Sequence, residues 1–136
     1  MSTPLIVIIN DDAALATMLA DLLTTAGYQT QWCQRGSAAY GLIQHAQPDL
    51  VLLDIQMEQL DTGWRVLDTI RSDPTLHTLP VLICSTYAEN VVKAQARGDP
   101  WCAAWPIPFA PVRFLALIQH FLARERSGPS GIAPEG

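Results

Sequence analysis

The sequence predicts an α/β domain built on a parallel sheet, and three observations carry that prediction. Residues 5–9, 50–53 and 81–84 are short runs that are apolar throughout, the pattern of strands covered on both faces. The segments between them repeat apolar residues at helical spacing. The two kinds of segment alternate along the chain, five of each, and such alternation makes right-handed crossovers between parallel strands. No internal repeat is apparent.

The elements follow in order. After the strand at 5–9, residues 12–26 read as a helix, with Leu15, Met18, Leu19, Leu22, Leu23 and Ala26 at helical spacing. Asp11 or Asp12 stands where an N-cap belongs, and Gly27 suits the stop. Residues 28–33 alternate apolar with polar, as a half-buried edge strand does. Gly36-Ser37 opens a second helix carrying Ala39, Leu42, Ile43 and Ala46, and Pro48 ends it before the strand at 50–53. Residues 63–72 form a short helix with Val66, Leu67 and Ile70 inward. Pro80 precedes the strand at 81–84, which runs into Ser85-Thr86. Residues 87–97 are a weaker helix, small and polar apart from Val91 and Val92, closed by Gly98. Residues 101–105 are the last strand, and 110–123 a final helix with Phe114, Leu117, Ile118, Phe121 and Leu122 on one face. Residues 1–126 are therefore expected to fold as one domain, with 127–136, rich in Gly and Pro, a disordered tail. No second folded domain is expected.

Composition narrows the function. The 136 residues are 49% apolar and 15% charged, a globular balance. Net charge is −5, with one lysine, Lys93, and seven scattered arginines. A nucleic-acid surface needs clustered cations, so none is expected. No apolar run reaches the ~18–20 residues that cross a bilayer, and no signal peptide is evident. Cys33, Cys84 and Cys102 are widely spaced and make no metal spacing with His45, His77 or His120. They read as reduced thiols of a cytoplasmic protein, Cys84 in the core.

Two strand tips carry the chemistry. The first buried strand ends in Asn10-Asp11-Asp12 and the third strand of the chain in Asp54. In open parallel sheets, ligands bind outside the carboxyl ends of the strands, where strand order reverses. Carboxylates gathered there repel each other unless a cation joins them, and hard oxygen ligands of this kind suit Mg²⁺.

These residues resemble the receiver domain of two-component response regulators, over residues 4–123. The strongest match is Pro48-Asp49-Leu50-Val51-Leu52-Leu53-Asp54-Ile55-Gln56-Met57. The acidic cluster after the first strand, Ser85, and Pro108-Phe109 match as well. The resemblance implies a flavodoxin-like, doubly wound, five-stranded parallel sheet of order 2-1-3-4-5 with five helices. It implies that Asp54 accepts a phosphoryl group and that Ser85 hydrogen-bonds that group. It implies Mg²⁺ on Asp11, Asp54 and the backbone carbonyl of Gln56, with Asn10 reaching it through water. The implied partners are a histidine kinase or phosphotransfer protein and a downstream protein at the face of the fourth helix, fifth strand and fifth helix. A homodimer through the same elements is open. No enzymatic role is expected: phosphatases of the dehalogenase type need an aspartate two residues beyond the nucleophile, where Gln56 stands, and no glycine-rich phosphate loop follows the first strand.

Several positions depart from the family pattern. Asn10 replaces the first aspartate of the acidic pair, and Ile107 the lysine that pairs with the phosphoryl group. Lys93 reads as a solvated side chain. Glu58 replaces a proline in a loop one residue longer than usual, and reads either as added charge near Asp54 or as a side chain in water. Thr86 replaces a small residue and narrows access to Asp54. Ala104 falls at the switch aromatic, flanked by Trp101 and Trp105, which alternation sends together to the opposite face. The Ile107–Pro108 bond is expected in cis. Two readings stand: a stand-alone phosphoacceptor in a phosphorelay, or a pseudo-receiver that binds a protein without phosphorylation.

Overall fold

A computed structural model describes residues 3–107 and 110–132, with side chains described through Ala123. The elements are β1 (Leu5–Ile9), α1 (Ala13–Thr25), β2 (Gln29–Cys33), α2 (Gly36–Ala46), β3 (Leu50–Leu53), α3 (Thr62–Ser72), β4 (Val81–Ser85), α4 (Ala88–Ala96), β5 (Cys102–Pro106) and α5 (Pro111–Ile132). The sheet order is β2-β1-β3-β4-β5, with every neighbouring pair parallel. The expected doubly wound, flavodoxin-like architecture is the one observed.

The continuous apolar runs mean what they were expected to mean. Along β1, β3 and β4 successive side chains enter opposite layers. Val7, Ile9, Val51, Leu53, Val81 and Ile83 pack against α2, α3 and α4 through Ala39, Ile43, Val66, Leu67, Ile70 and Ala94. Ile6, Ile8, Leu50, Leu52, Leu82 and Cys84 pack against α1 and α5 through Leu19, Leu23, Phe114 and Ile118. Both faces are covered, so alternation with polar residues disappears from the sequence. The edge strand β2 keeps only Cys33 buried, because β1 is its single neighbour.

The end of the sheet opposite the acidic tips is tied by Arg71. Its Nε meets Asp99 at 2.5 Å, and its two terminal nitrogens donate to the carbonyls of Leu79 (2.8 Å) and Trp101 (3.0 Å). One guanidinium thus joins α3, the approach to β4 and the loop before β5, and its fixed fork suits three acceptors at once.

The structure differs from the expected elements at Trp101. Trp101 precedes β5 instead of lying in it, so only Trp105, with Ala103, faces the α1/α5 layer. The cause is Asp99, whose carboxylate accepts the Trp101 N–H at 2.9 Å and holds it in a turn. Trp105 is half-buried against that layer and stands opposite Cys84 in register. Its indole N–H finds no acceptor among the described residues. The backbone of α5 extends to Ile132. Residues 133–136 lie outside the described residues, as do Pro108 and Phe109 and with them the expected cis bond.

Candidate functional site

The parallel register brings the site together. Ile9 stands opposite Leu53, and Leu53 opposite Ile83, so Asn10, Asp54 and Ser85 all lie at the same end of adjacent strands. The order reverses between β1 and β3, which places the switch point of the sheet at Asp11 and Asp54.

Asp54 is half-buried, and its backbone N–H continues the sheet to the Ile9 carbonyl at 2.9 Å. Its Oδ1 accepts the Ile55 N–H at 2.8 Å. Burial pushes its carboxyl up to about 6, opposed by the N–H groups of Ile55 and Gln56 and reinforced by the negative charges of Asp11 and Asp12. Cys84 is buried, and its thiol is pushed up to about 12, mainly by that burial and further by the charge of Asp54. Cys84 is thus an inert core residue, as expected.

The Asn10-Asp11-Asp12 turn divides its labour. Asn10 is only 3% exposed, and its Oδ1 accepts the Asp12 N–H at 2.8 Å. Asp12 caps α1, its Oδ1 accepting the Leu15 N–H at 3.1 Å. Asp11 is exposed and remains to face Asp54 across the cleft. Trp32 braces the turn from β2, donating its indole N–H to the Asn10 carbonyl at 2.7 Å. That brace was not legible in the sequence, where Trp32 was one apolar residue of an alternating strand.

The loop after Asp54 is shaped by three contacts. Gly63 donates its N–H to the Ile55 carbonyl at 2.8 Å, and a Cβ there would overlap the Asp54 carbonyl and Ile55 Cα. Thr62 Oγ1 and the backbone of Gln59 bond each other in both directions, at 2.9 and 3.1 Å, and Leu60 is pushed out to 77% exposure. Glu58 turns toward α2, where its two oxygens accept the N–H groups of Gly36 (2.9 Å) and Ser37 (3.3 Å). Of the two readings of Glu58, the side chain in water agrees with its exposure, and the contact with α2 adds a role that reading did not include. The N-cap residue of α2, Arg35, offers no capping side chain, and Glu58 supplies one from another loop.

Ser85 is 2% exposed. Its Oγ accepts from the Tyr87 N–H at 3.1 Å and from Asn90 Nδ2 at 3.0 Å. Asn90 was missed: it lies on the inward face of α4 with Ala94, four residues on, and an inward polar side chain demands a partner. Ile107 takes the place of the expected lysine, and its side chain packs against the α1/α5 layer. Lys93 is exposed on α4, and Thr86 is exposed at the rim. Ala104 packs into the α2–α4 layer, so no aromatic occupies the switch position.

Among the described residues, the salt bridges are Arg65–Asp61, Arg71–Asp99 and Arg97–Asp68, none of them at the site. Among those residues, Asp11 and Asp54 therefore face each other without a protein cation. No group of three acidic, His or Cys side chains able to hold a metal occurs among the described residues. Two carboxylates plus a backbone carbonyl, completed by water, fit Mg²⁺, which is commonly bound by one or two carboxylates.

Comparison with known proteins agrees with this geometry. The family model for the response regulator receiver domain matches residues 6–99. The chain belongs to that family. It is 34% identical over 122 residues to the response regulator MprA of Mycobacterium sp. strain KMS, covering 88% of this chain and 50% of the relative. The chain thus spans about half the length of that relative. With the polar-differentiation response regulator DivK of Brucella anthropi it shares 26% identity, covering 86% of this chain and 94% of DivK. The crystal structure of a putative response regulator from Chloroflexus aurantiacus superposes with a TM-score of 0.81 at 25% identity, covering 90% of this chain and all of the other (100%). Among the described residues, no helix is long and apolar enough to cross a membrane.

Proposed function

We propose that this chain is a cytoplasmic receiver that takes a phosphoryl group on Asp54 from a histidine kinase or phosphotransfer protein. It then signals through protein contacts at the α4–β5–α5 face, where Tyr87 and Val92 are exposed. The observation that carries the reading is the placement of Asp54 at the switch point of the sheet, half-buried, facing Asp11 without a protein cation among the described residues.

The chemistry is attack by one Asp54 carboxylate oxygen on phosphorus. The new P–O bond forms as the bond to the donor breaks, and the donor leaves with the electron pair. With the carboxyl at about 6, Asp54 is mostly ionised at neutral pH and ready to attack. The backbone N–H groups of Ile55 and Gln56 hold its orientation. Mg²⁺ bound by Asp11, Asp54 and the Gln56 carbonyl would supply the positive charge that the dianionic phosphoryl group needs. Ser85 donates to a phosphoryl oxygen. Asn10 holds the turn that presents Asp11, and its contact with a metal-bound water is secondary, since its Oδ1 already accepts from Asp12.

One observation favours the second reading, a pseudo-receiver acting without phosphorylation: Ile107 packs into the core where a lysine would neutralise the phosphoryl group. Intact mass after incubation with Mg²⁺ and acetyl phosphate separates the two. A phosphoryl adduct on the wild type, absent from Asp54→Ala, supports the phosphoacceptor. No adduct together with no Mg²⁺ binding by titration supports the pseudo-receiver.

A further inference from the structure

Ser85 carries an unusual hydrogen-bond load for a hydroxyl at a phosphoryl site. Its oxygen has two lone pairs, and both are taken, one by the Tyr87 N–H and one by the Asn90 amide. Its backbone carbonyl is held as well, by the Ile107 N–H at 2.9 Å. The hydroxyl proton is the one polar group of Ser85's side chain left to place, and it can only donate. Asn90 is itself 3% exposed, and a buried amide at this position is retained at the cost of desolvation. Its Nδ2 is directed at Ser85 and not at solvent.

We infer that Asn90 is a positioning residue for phosphoryl transfer: by filling an acceptor site on Ser85 Oγ, it commits the Ser85 hydroxyl to donate into the Asp54 cleft. Two incoming donors also polarise the hydroxyl and strengthen the bond it gives. The tip of β4 lies beside the tip of β3, so Ser85 and Asp54 end adjacent strands at the same edge of the sheet. Asn90 belongs to α4, so it also couples the position of Ser85 to that helix. The inference rests on the phosphoacceptor reading.

Asn90→Asp tests it, because it keeps shape while replacing the donor with an acceptor. The Ser85 hydroxyl then donates to the new carboxylate and turns away from the cleft. The rate of adduct formation with acetyl phosphate and Mg²⁺, followed by intact mass, is compared in four proteins: wild type, Asn90→Asp, Ser85→Ala and the double variant. Loss of one charge-assisted bond predicts a rate on the order of tenfold lower for Asn90→Asp and for Ser85→Ala. In the Ser85→Ala background the Asp substitution is expected to change the rate by about twofold or less, the remaining effect of its added charge. Asn90→Leu repeats the cycle if the Asp variant fails to fold by circular dichroism. An Asn90 effect of equal size with and without the Ser85 hydroxyl overturns the inference, as does a folded Asn90→Asp that reacts at the wild-type rate. A wild type that takes up no phosphoryl group and binds no Mg²⁺ overturns the phosphoacceptor reading, and this inference falls with it.

Discussion

Replacing Asp54 by asparagine should stabilise the metal-free fold. The Asp54 carboxyl is raised from 3.8 to about 6, first by burial and then by Asp11 and Asp12. A raised carboxyl means that the folded state binds a proton that the unfolded state has released, so the ionised group opposes folding. The penalty is absent below the unfolded value of 3.8, grows as pH rises, and is complete above about 6. At ~1.4 kcal/mol for each tenfold change in proton affinity the full figure is ~3 kcal/mol. Asp54 is partly exposed, and screening by water reduces this to about 1–1.5 kcal/mol. The amide of Asp54→Asn carries no charge and keeps an acceptor for the Ile55 N–H. Urea unfolding of both proteins in the presence of chelator at pH 7.5 should therefore favour the variant by about that amount, or ~3–6 °C in Tm. The gap should be about half as large near pH 5, and close further with Mg²⁺ if the wild-type site takes the ion as proposed. A variant no more stable than wild type at pH 7.5, or a gap unchanged by acid, would refute the reasoning.

Other substitutions probe the surrounding structure. Gly63→Ala places a methyl group against the Asp54 carbonyl and Ile55 Cα, and is expected to cost about 2 kcal/mol or more in urea unfolding, since backbone cannot yield as a side chain does. Glu58→Ala removes the cap on α2 and should cost about 1 kcal/mol, with faster amide exchange at Gly36 and Ser37. Hydrogen bonds from Gly36, then other backbone donors, hold the Glu58 carboxyl below its ordinary value of 4.5. That difference is therefore present at neutral pH and lost as pH falls through the depressed value. Ile107→Lys returns a cation to the cleft and should raise the rate of adduct formation by about tenfold, read by intact mass, at some loss of packing against the α1/α5 layer.

The fold was readable because its signals are local or periodic. Strands β1, β3 and β4 are apolar without interruption, and helices α1, α3 and α5 repeat their apolar residues at one face, so element type and order follow from the chain alone. Where reading failed, a side-chain contact with the backbone decided the outcome. Trp101 reads as strand, but its N–H goes to the Asp99 carboxylate while only its carbonyl still pairs with Val81 of β4. Glu58 is the surface acid it reads as, but the α2 terminus, 22 positions earlier in the chain, presents two N–H groups that it caps.

The site divides along the same line. Asp11, Asp54 and Ser85 are legible because each ends an apolar run, and a parallel sheet delivers all such ends to one edge. What each side chain does there is set by its hydrogen-bond partners, several of them from other elements. Asn10 spends its oxygen on the turn, Asp12 caps α1, and Asn90 reaches Ser85 from α4. By itself the sequence determined which carboxylates meet, because strand direction and apolar patterning are properties of the chain. Only the tertiary structure decided which of those groups stay free for chemistry, because hydrogen-bond partners and burial arise where separate elements pack together.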